Sequence, residues 1–261
     1  MKFFLILFYS FIFGFSYCQN LETKLVRTID LEADRFIGID DFENIYYVKN
    51  NTFYKKSENE ILNYTNVSLG QITRVDIHNP FKIVLFYKNY NSIIILDSKL
   101  SELTSKIDFT KETLFNNVIL VSHSSVNNLW LFADDNKLHL YDFQNHSEKI
   151  QTQPITFYQD SFIPKSLKSS YKNAWILGET GVIQINEYGN FINYFEIENI
   201  DFILPFQKGF IFVKDDIFEY IDENISRQIS IQKRHLIKDI HVNNSSISIF
   251  EGLKVYQYEF L

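Results

Sequence analysis

Cysteine is nearly missing from this chain: Cys18 is the only one among 261 residues, and it sits at the end of an N-terminal apolar run. Proline and glycine are scarce too, at four and eight, and no Pro/Gly/Ser-rich stretch or charge run marks a linker. A single domain over residues 19–261 is therefore expected once the N-terminal segment is set aside. Basic clustering is also lacking, since 25 Lys and Arg stand against 32 Asp and Glu for a net charge of −7. Nucleic acid and anionic lipid both require grouped Lys and Arg, so both are disfavoured as partners. No Gly-x-Ser-x-Gly elbow, phosphate loop, dinucleotide fingerprint or His-Glu-x-x-His sequence occurs. Those absences exclude enzymes recognised by a local motif; a site assembled from separated residues stays open.

The N-terminus has the composition of an export signal. Lys2 precedes an apolar run from Phe3 to Phe15, followed by Ser16, Tyr17, Cys18 and Gln19. The run is too short for an ordinary membrane span, and cleavage after Cys18 puts Ser16 and Cys18 at the two small-residue positions. Residues 1–18 are expected to be a signal peptide, which places the protein outside the cytoplasm, in the periplasm if the source is bacterial. A retained anchor and lipid attachment at Cys18 are the alternatives; Tyr17 is not the small residue that lipid attachment favours. After cleavage no cysteine is left for a disulfide, thiol catalysis or a metal site. A large apolar core does without covalent staples.

What the chain has in abundance is apolar and aromatic residues, 46% and 17%, with 26 Phe and 16 Tyr. They are organised in a repeat: an apolar strand, a turn of Asn, Asp or Gly, and a second apolar strand. Copies occupy 45–54, 83–97, 129–142, 174–186, 210–222 and 247–258, so their starts are 36 to 46 residues apart. The turn slots hold Asn50-Asn51, Asn89 to Asn91, Asp134 to Asn136, Glu179 to Gly181, Asp215-Asp216 and Glu251-Gly252. These residue types tolerate the positive φ of tight hairpins. In that slot the Asp pairs read as turn residues rather than calcium ligands. A period near 40 with strands throughout is the pattern of propeller blades of four strands each. The expected fold is all-β, a six-bladed β-propeller.

The last copy runs out at its third strand, so a fourth must come from elsewhere. Residues 24–31 precede the first copy and read like the outer strand of the second, which predicts that the N-terminal strand closes the ring. Asn44, Asn128 and Asn173 precede strands carrying Tyr46, Trp130 and Trp175, and these aromatics are expected to pack between blades. The fifth copy is the weakest, because Pro205 falls in its inner strand.

One constellation is a candidate site. His78, His123 and His241 fall at matching places near the ends of inner strands, and Asp40 takes that place in the first copy. Asp76 and Asp239 lie two residues before His78 and His241. Inner strands line the axial channel, so these six are the ligand-binding candidates, with no metal, cofactor or catalytic residue expected. An enzyme is distinguished by two or more of them within hydrogen-bonding reach of one cavity.

The stretch from Asn128 to Asp142, with its Asn-Leu-Trp strand leading through a turn to Tyr-Asp, resembles the repeat of bacterial sensor and NHL-type propellers. The resemblance extends from about Arg35 to Leu261. It lacks that family's turn glycines except at Gly181 and Gly252, and it lacks the Gly-His and Trp-Asp marks of WD40 repeats. The chain's Asn, Ile, Lys and Phe richness also looks like envelope proteins of the Bacteroidetes group, where small exported propellers serve outer-membrane secretion or assembly machines. The resemblance implies a non-enzymatic interaction module whose partner is a larger envelope or outer-membrane protein, without membrane insertion of its own domain. A ligand or glycan sensor using the axial funnel, and a propeller hydrolase or lyase with a dispersed site, are the alternative readings.

Overall fold

The computed structural model describes residues 20–112, 117–170, 172–233 and 235–261. The expected signal peptide at 1–18 lies outside them. Strand β1 (Leu21–Asp30) comes first, followed by a four-stranded sheet of β2 (Arg35–Ile39), β3 (Ile45–Lys49), β4 (Thr52–Lys56) and β5 (Ile61–Tyr64). A second sheet holds β6 (Arg74–Asp76), β7 (Ile83–Tyr87), β8 (Ser92–Leu96) and β9 (Ile107–Asp108). The third is β10 (Val118–His123), β11 (Asn128–Ala133), β12 (Leu138–Asp142) and β13 (Ser147–Gln151). The fourth is β14 (Ser166–Ser169), β15 (Asn173–Leu177), β16 (Val182–Asn186) and β17 (Phe191–Phe195).

The remaining strands are β18 (Phe202–Phe206), β19 (Gly209–Lys214), β20 (Ile217–Ile221), β21 (Ser226–Ser230), β22 (Asp239–Val242), β23 (Ser246–Phe250) and β24 (Lys254–Phe260). Together with β1 they form one eight-stranded sheet, in the order β18-β19-β20-β21-β1-β24-β23-β22. The expected role of the N-terminal strand is visible in it. β1 pairs antiparallel with β24 from Thr23 opposite Phe260 to Asp30 opposite Lys254, and touches β21 in parallel only at Leu21 and Glu22. The first strand of the chain is thus hydrogen-bonded to the last. Among the described residues no helix is long and apolar enough to cross a membrane.

The fold is an all-β propeller, and its repeats form where the sequence pattern places them. Left-handed backbone occurs at Asn50, Asn51, Asn91, Asn136, Asp215, Asp216 and Gly252, all within the hairpin slots. Asn91 also stitches two sheets, because its side chain accepts the Val118 N–H at 2.9 Å. Pro205 stays within β18, opposite Phe210. It is tolerated because β18 is an edge strand at the axis, where a missing N–H breaks no ladder on the open side.

Buried clusters fill the seams between sheets. Tyr46, Val48 and Phe53 meet Ile83, Leu85 and Tyr87 between the first and second sheets, and Val84, Phe86 and Ile95 meet Leu129, Leu131 and Tyr141 between the second and third. Trp130 and Phe132 pack with Ala174 and Ile176, and Trp175 with Phe210, ring centroids 6.2 Å apart. Phe36, Ile39 and Tyr47 meet Phe250 and Val255, which brings the first sheet against the strands nearest the C-terminus. The predicted seam aromatics Tyr46, Trp130 and Trp175 are all essentially fully buried. Trp130→Ala empties one seam and is expected to cost about 3–5 kcal/mol in a denaturant titration, with β-sheet circular dichroism retained below the transition.

Candidate functional site

Five inner strands bring polar residues to the ring axis because successive side chains on a strand alternate faces. Arg74, Asp76 and His78 are spaced by two along the β6 segment, as are Lys168 and Ser170 beyond β14, and Asp239 and His241 on β22. Ser122 ends the same set on β10, and Asp40 and Asp41 follow β2. All but Asp239 line an axial cavity of about 430 Å³, whose wall includes Asp40, Asp76, His78, Lys168 and His241. The lining runs from Arg74 to the turns after the inner strands, so the cavity opens towards those turns. Arg74 forms its floor: Nη2 donates to the Leu167 carbonyl on β14, reaching past β10 across the axis.

Of the six sequence candidates, the structure groups three tightly. Asp76 Oδ1 accepts the His78 N–H at 2.9 Å, and Oδ2 accepts the His123 N–H at 3.0 Å and the Ser122 hydroxyl at 3.1 Å. The His78 and His123 rings lie 5.8 Å apart, centroid to centroid. His123 is wholly buried behind this group, and neither of its ring nitrogens has a hydrogen-bond partner among the described residues. The Ser169 hydroxyl joins the cluster, its one proton within reach of both the Ser122 hydroxyl and the His123 carbonyl.

Asp239 and His241 brace β22 against β2, accepting the Phe36 N–H at 2.9 Å and the Ile39 N–H at 3.4 Å. Gly38 permits this approach, since a Cβ there would lie 2.4 Å from His241 Cδ2. Asp40 is occupied by its own turn. It accepts the Phe42 and Asn44 N–H groups, the Asn44 amide and, at 2.7 Å, the Tyr46 hydroxyl. The histidines and aspartates therefore differ in role although their places in the repeat match. Asp40, Asp76, His78 and His241 line the cavity, whereas His123 and Asp239 stand outside its lining. Among the described residues no group of three or more His, Cys, Asp or Glu is placed to hold a metal ion.

Electrostatics at the axis follow from burial. Burial pushes the Asp76 carboxyl up, but the charges of His123, His78 and Arg74 and the His123 N–H outweigh it and hold the acid at about 2. Because burial also pushes His123 down, near neutrality Arg74 and the N–H and O–H donors carry that stabilisation. Burial, then the Lys168 charge, lowers His241 to about 4. Burial and the repulsion of Arg74 lower the Lys168 amine to about 8, against the pull of Asp76. Lys168 has no hydrogen bond or ion pair with any described residue, whereas the carboxylates of Asp40 and Asp76 already accept several donors.

Lys168, Arg74, Ser122 and Ser169 were not among the sequence candidates. For Arg74 a signal existed, because it continues the two-residue spacing of Asp76 and His78 onto the same strand face. Lys168 carried a mark as well: it lies six residues before the start of its copy, as His123 and His241 do, and it sits opposite Trp175 as Ser122 sits opposite Trp130.

No protein-family model matches the chain, and no curated protein sequence matches it. Solved structures are similar in fold. A catalytically inactive virginiamycin B lyase from Staphylococcus aureus, crystallised with quinupristin, superposes with a TM-score of 0.60 at 13% identity, over 92% of this chain and 100% of that one. A streptogramin B lyase matches at 0.58 and 14% identity over 87% of this chain and 78% of that one. The WD40 domain of Neurospora crassa Pan2 matches at 0.58 and 10% identity, over 87% and 75%. The expectation that the chain is not an enzyme is thereby corrected, since lyases are among the proteins that share its propeller. The missing local motifs had no power to exclude catalysis, because a ring builds its site from distant strands. At these identities the likeness shows the fold alone.

The two depressed bases set a pH dependence. His241 favours the neutral form in the fold, so its contribution to stability is present above an unfolded pKa of ~6.5 and is lost as pH falls towards about 4. Thermal melts from pH 7 to pH 4 are expected to show that decline, and the decline is expected to be shallower in His241→Asn. Lys168→Met removes a desolvated charge and is expected to stabilise the fold at pH 7 by roughly 1 kcal/mol or more, read from the urea midpoint.

Proposed function

We propose that the chain is a six-bladed propeller whose axial cavity binds a small anionic ligand, a carboxylate in the first instance, through Lys168. The blade count comes from reading the eight-stranded sheet as two blades. One is β18 to β21; the other is β22, β23 and β24 with β1 as its outer strand. The observation that carries the binding assignment is the lone amine: Lys168 faces a cavity whose buried carboxylates are committed to other donors. A half-buried ammonium without a partner is poorly compensated, so an anion that supplies one gains the energy of a charge-assisted hydrogen bond. The cavity suits a small molecule in volume as well. This is the axial-funnel reading of the sequence, and it leaves open whether the bound molecule is sensed or transformed.

Ligand affinity then depends on the ammonium form. Isothermal titration with lactate or acetate is expected to show binding that weakens as pH rises through about 8. Lys168→Met abolishes it and Lys168→Arg retains it in part. Binding unchanged in Lys168→Met removes the assignment.

A second reading is supported by exposed apolar residues on the turns that ring the cavity mouth. Phe42, Phe81 and Val126 are 64%, 58% and 62% exposed, and the two phenyl rings meet edge to face at 6.1 Å. They follow β2, β6 and β10, on the side where the cavity opens. Such residues suit a protein partner covering the mouth. An exported chain, as the N-terminal run suggests, meets that partner in the periplasm, and a subunit of an outer-membrane secretion or assembly complex fits the reading. Gentle-detergent purification from the native envelope is expected to recover a stoichiometric large partner, lost in a Phe42→Asp, Phe81→Asp variant. Recovery of the propeller alone would sink this second reading.

A further inference from the structure

Lys168 is more than a cation in this cavity. Its amine is unpartnered, and the Arg74 guanidinium is anchored to the carbonyl of the neighbouring residue, Leu167. Arg74 Nε is buried and Nη2 is committed to that carbonyl, so Nη1 is the guanidinium nitrogen left for a ligand. One side of the cavity thus offers, close together, a guanidinium able to take a carboxylate and a primary amine able to attack a carbon. The ligand class with both complementary groups on adjacent carbons is the 2-oxo acids. We propose that Lys168 forms an imine with the carbonyl carbon of a 2-oxo acid whose carboxylate is held by Arg74. The proposal rests on the anion-binding reading and specifies its ligand and chemistry.

The step is balanced. The Lys168 Nζ lone pair attacks the carbonyl carbon, forming the N–C bond as the C=O π electrons move to oxygen. A proton passes from nitrogen to that oxygen to give the carbinolamine. A second proton, from solvent, reaches the hydroxyl; the C–O bond then breaks, water leaves, and the nitrogen lone pair closes the C=N bond to give the protonated imine. Asp76 stands near Lys168 and is attractive to its ammonium form, as it would be to a protonated imine. The imidazole of His241 lines the same wall, but its Nδ1 is taken by the Ile39 N–H, so the proton transfers are left to water in the cavity. Attack requires the free amine, and burial and the neighbouring Arg74 charge both raise its minor share near neutrality.

The test is reductive trapping of the full chain with pyruvate and cyanoborohydride at pH 7.5, followed by intact-mass measurement and peptide mapping. Lactate, which has the carboxylate and no carbonyl, is titrated in parallel. The expected result is a mass gain equal to pyruvate less one oxygen atom, located at Lys168. Its yield should exceed that at any surface lysine at least roughly tenfold, because depressed pKa values raise the free-amine fraction. Lys168→Arg is expected to bind lactate and to give no adduct at that position. Lactate binding without an adduct at Lys168 overturns the imine and leaves the anion site standing. Failure of both lactate binding and trapping overturns the two together.

Discussion

A blade of this ring has two apolar faces, and neither face is stable in water until a neighbouring blade covers it. That mutual dependence runs round the axis through the clusters of Tyr46 with Ile83, Trp130 with Ile176, Trp175 with Phe210 and Phe36 with Phe250. Opening the ring anywhere exposes two such faces at once. The pairing of β1 with β24 is what keeps the last seam shut, because it ties the first strand of the chain to the last by a ladder of hydrogen bonds. Each buried aromatic in a seam removes apolar area worth about 25 cal/mol per Å² from water, so the seams are the main stabilising term.

With the seams holding the ring, the axis is free to carry groups that would weaken an ordinary core. Arg74, Asp76, Lys168, Asp239 and His241 all sit in or beside a narrow cavity, and burial moves the acid–base equilibrium of each. Most of these charges are answered locally. Asp76 accepts three donors, Asp239 accepts a backbone N–H, and Arg74 donates to a carbonyl. Lys168 is the group for which the fold supplies no answer. A cation that burial and Arg74 push towards its neutral form, and that faces a cavity, is a candidate for function rather than for holding the fold together, and this is why the functional reading centres on it.

The repeat was legible because hairpin turns and blade seams are local demands. A turn needs left-handed backbone at fixed places, and Asn50, Asn91, Asn136 and Asp215 advertise it. A seam needs a large apolar side chain in the second strand, and Tyr46, Trp130 and Trp175 supply it. The candidate site was legible only in part. Matching positions in the repeat found Asp40, Asp76, His78 and His241, which line the cavity, but the same logic selected His123 and Asp239, which stand outside its lining, and Asp40 is held by its own turn through Asn44 and Tyr46. Equivalent position fixes where a side chain starts, not which donors reach it.

The amino-acid sequence by itself determined the strand-turn-strand unit, its period and the strand that joins the chain's two ends, because each depends on neighbours close in the chain or on a pattern repeated along it. Tertiary structure alone decided that Lys168 of the fourth sheet lies beside Arg74 and Asp76 of the second, and that Arg74 crosses the axis to Leu167. Those residues are separated by about ninety positions, and although the repeat gives Lys168 and Asp76 equivalent places on their inner strands, opposite Trp175 and Val84, it does not bring them together. Their proximity is a property of a closed ring, in which every inner strand faces the same axis whatever its distance along the chain.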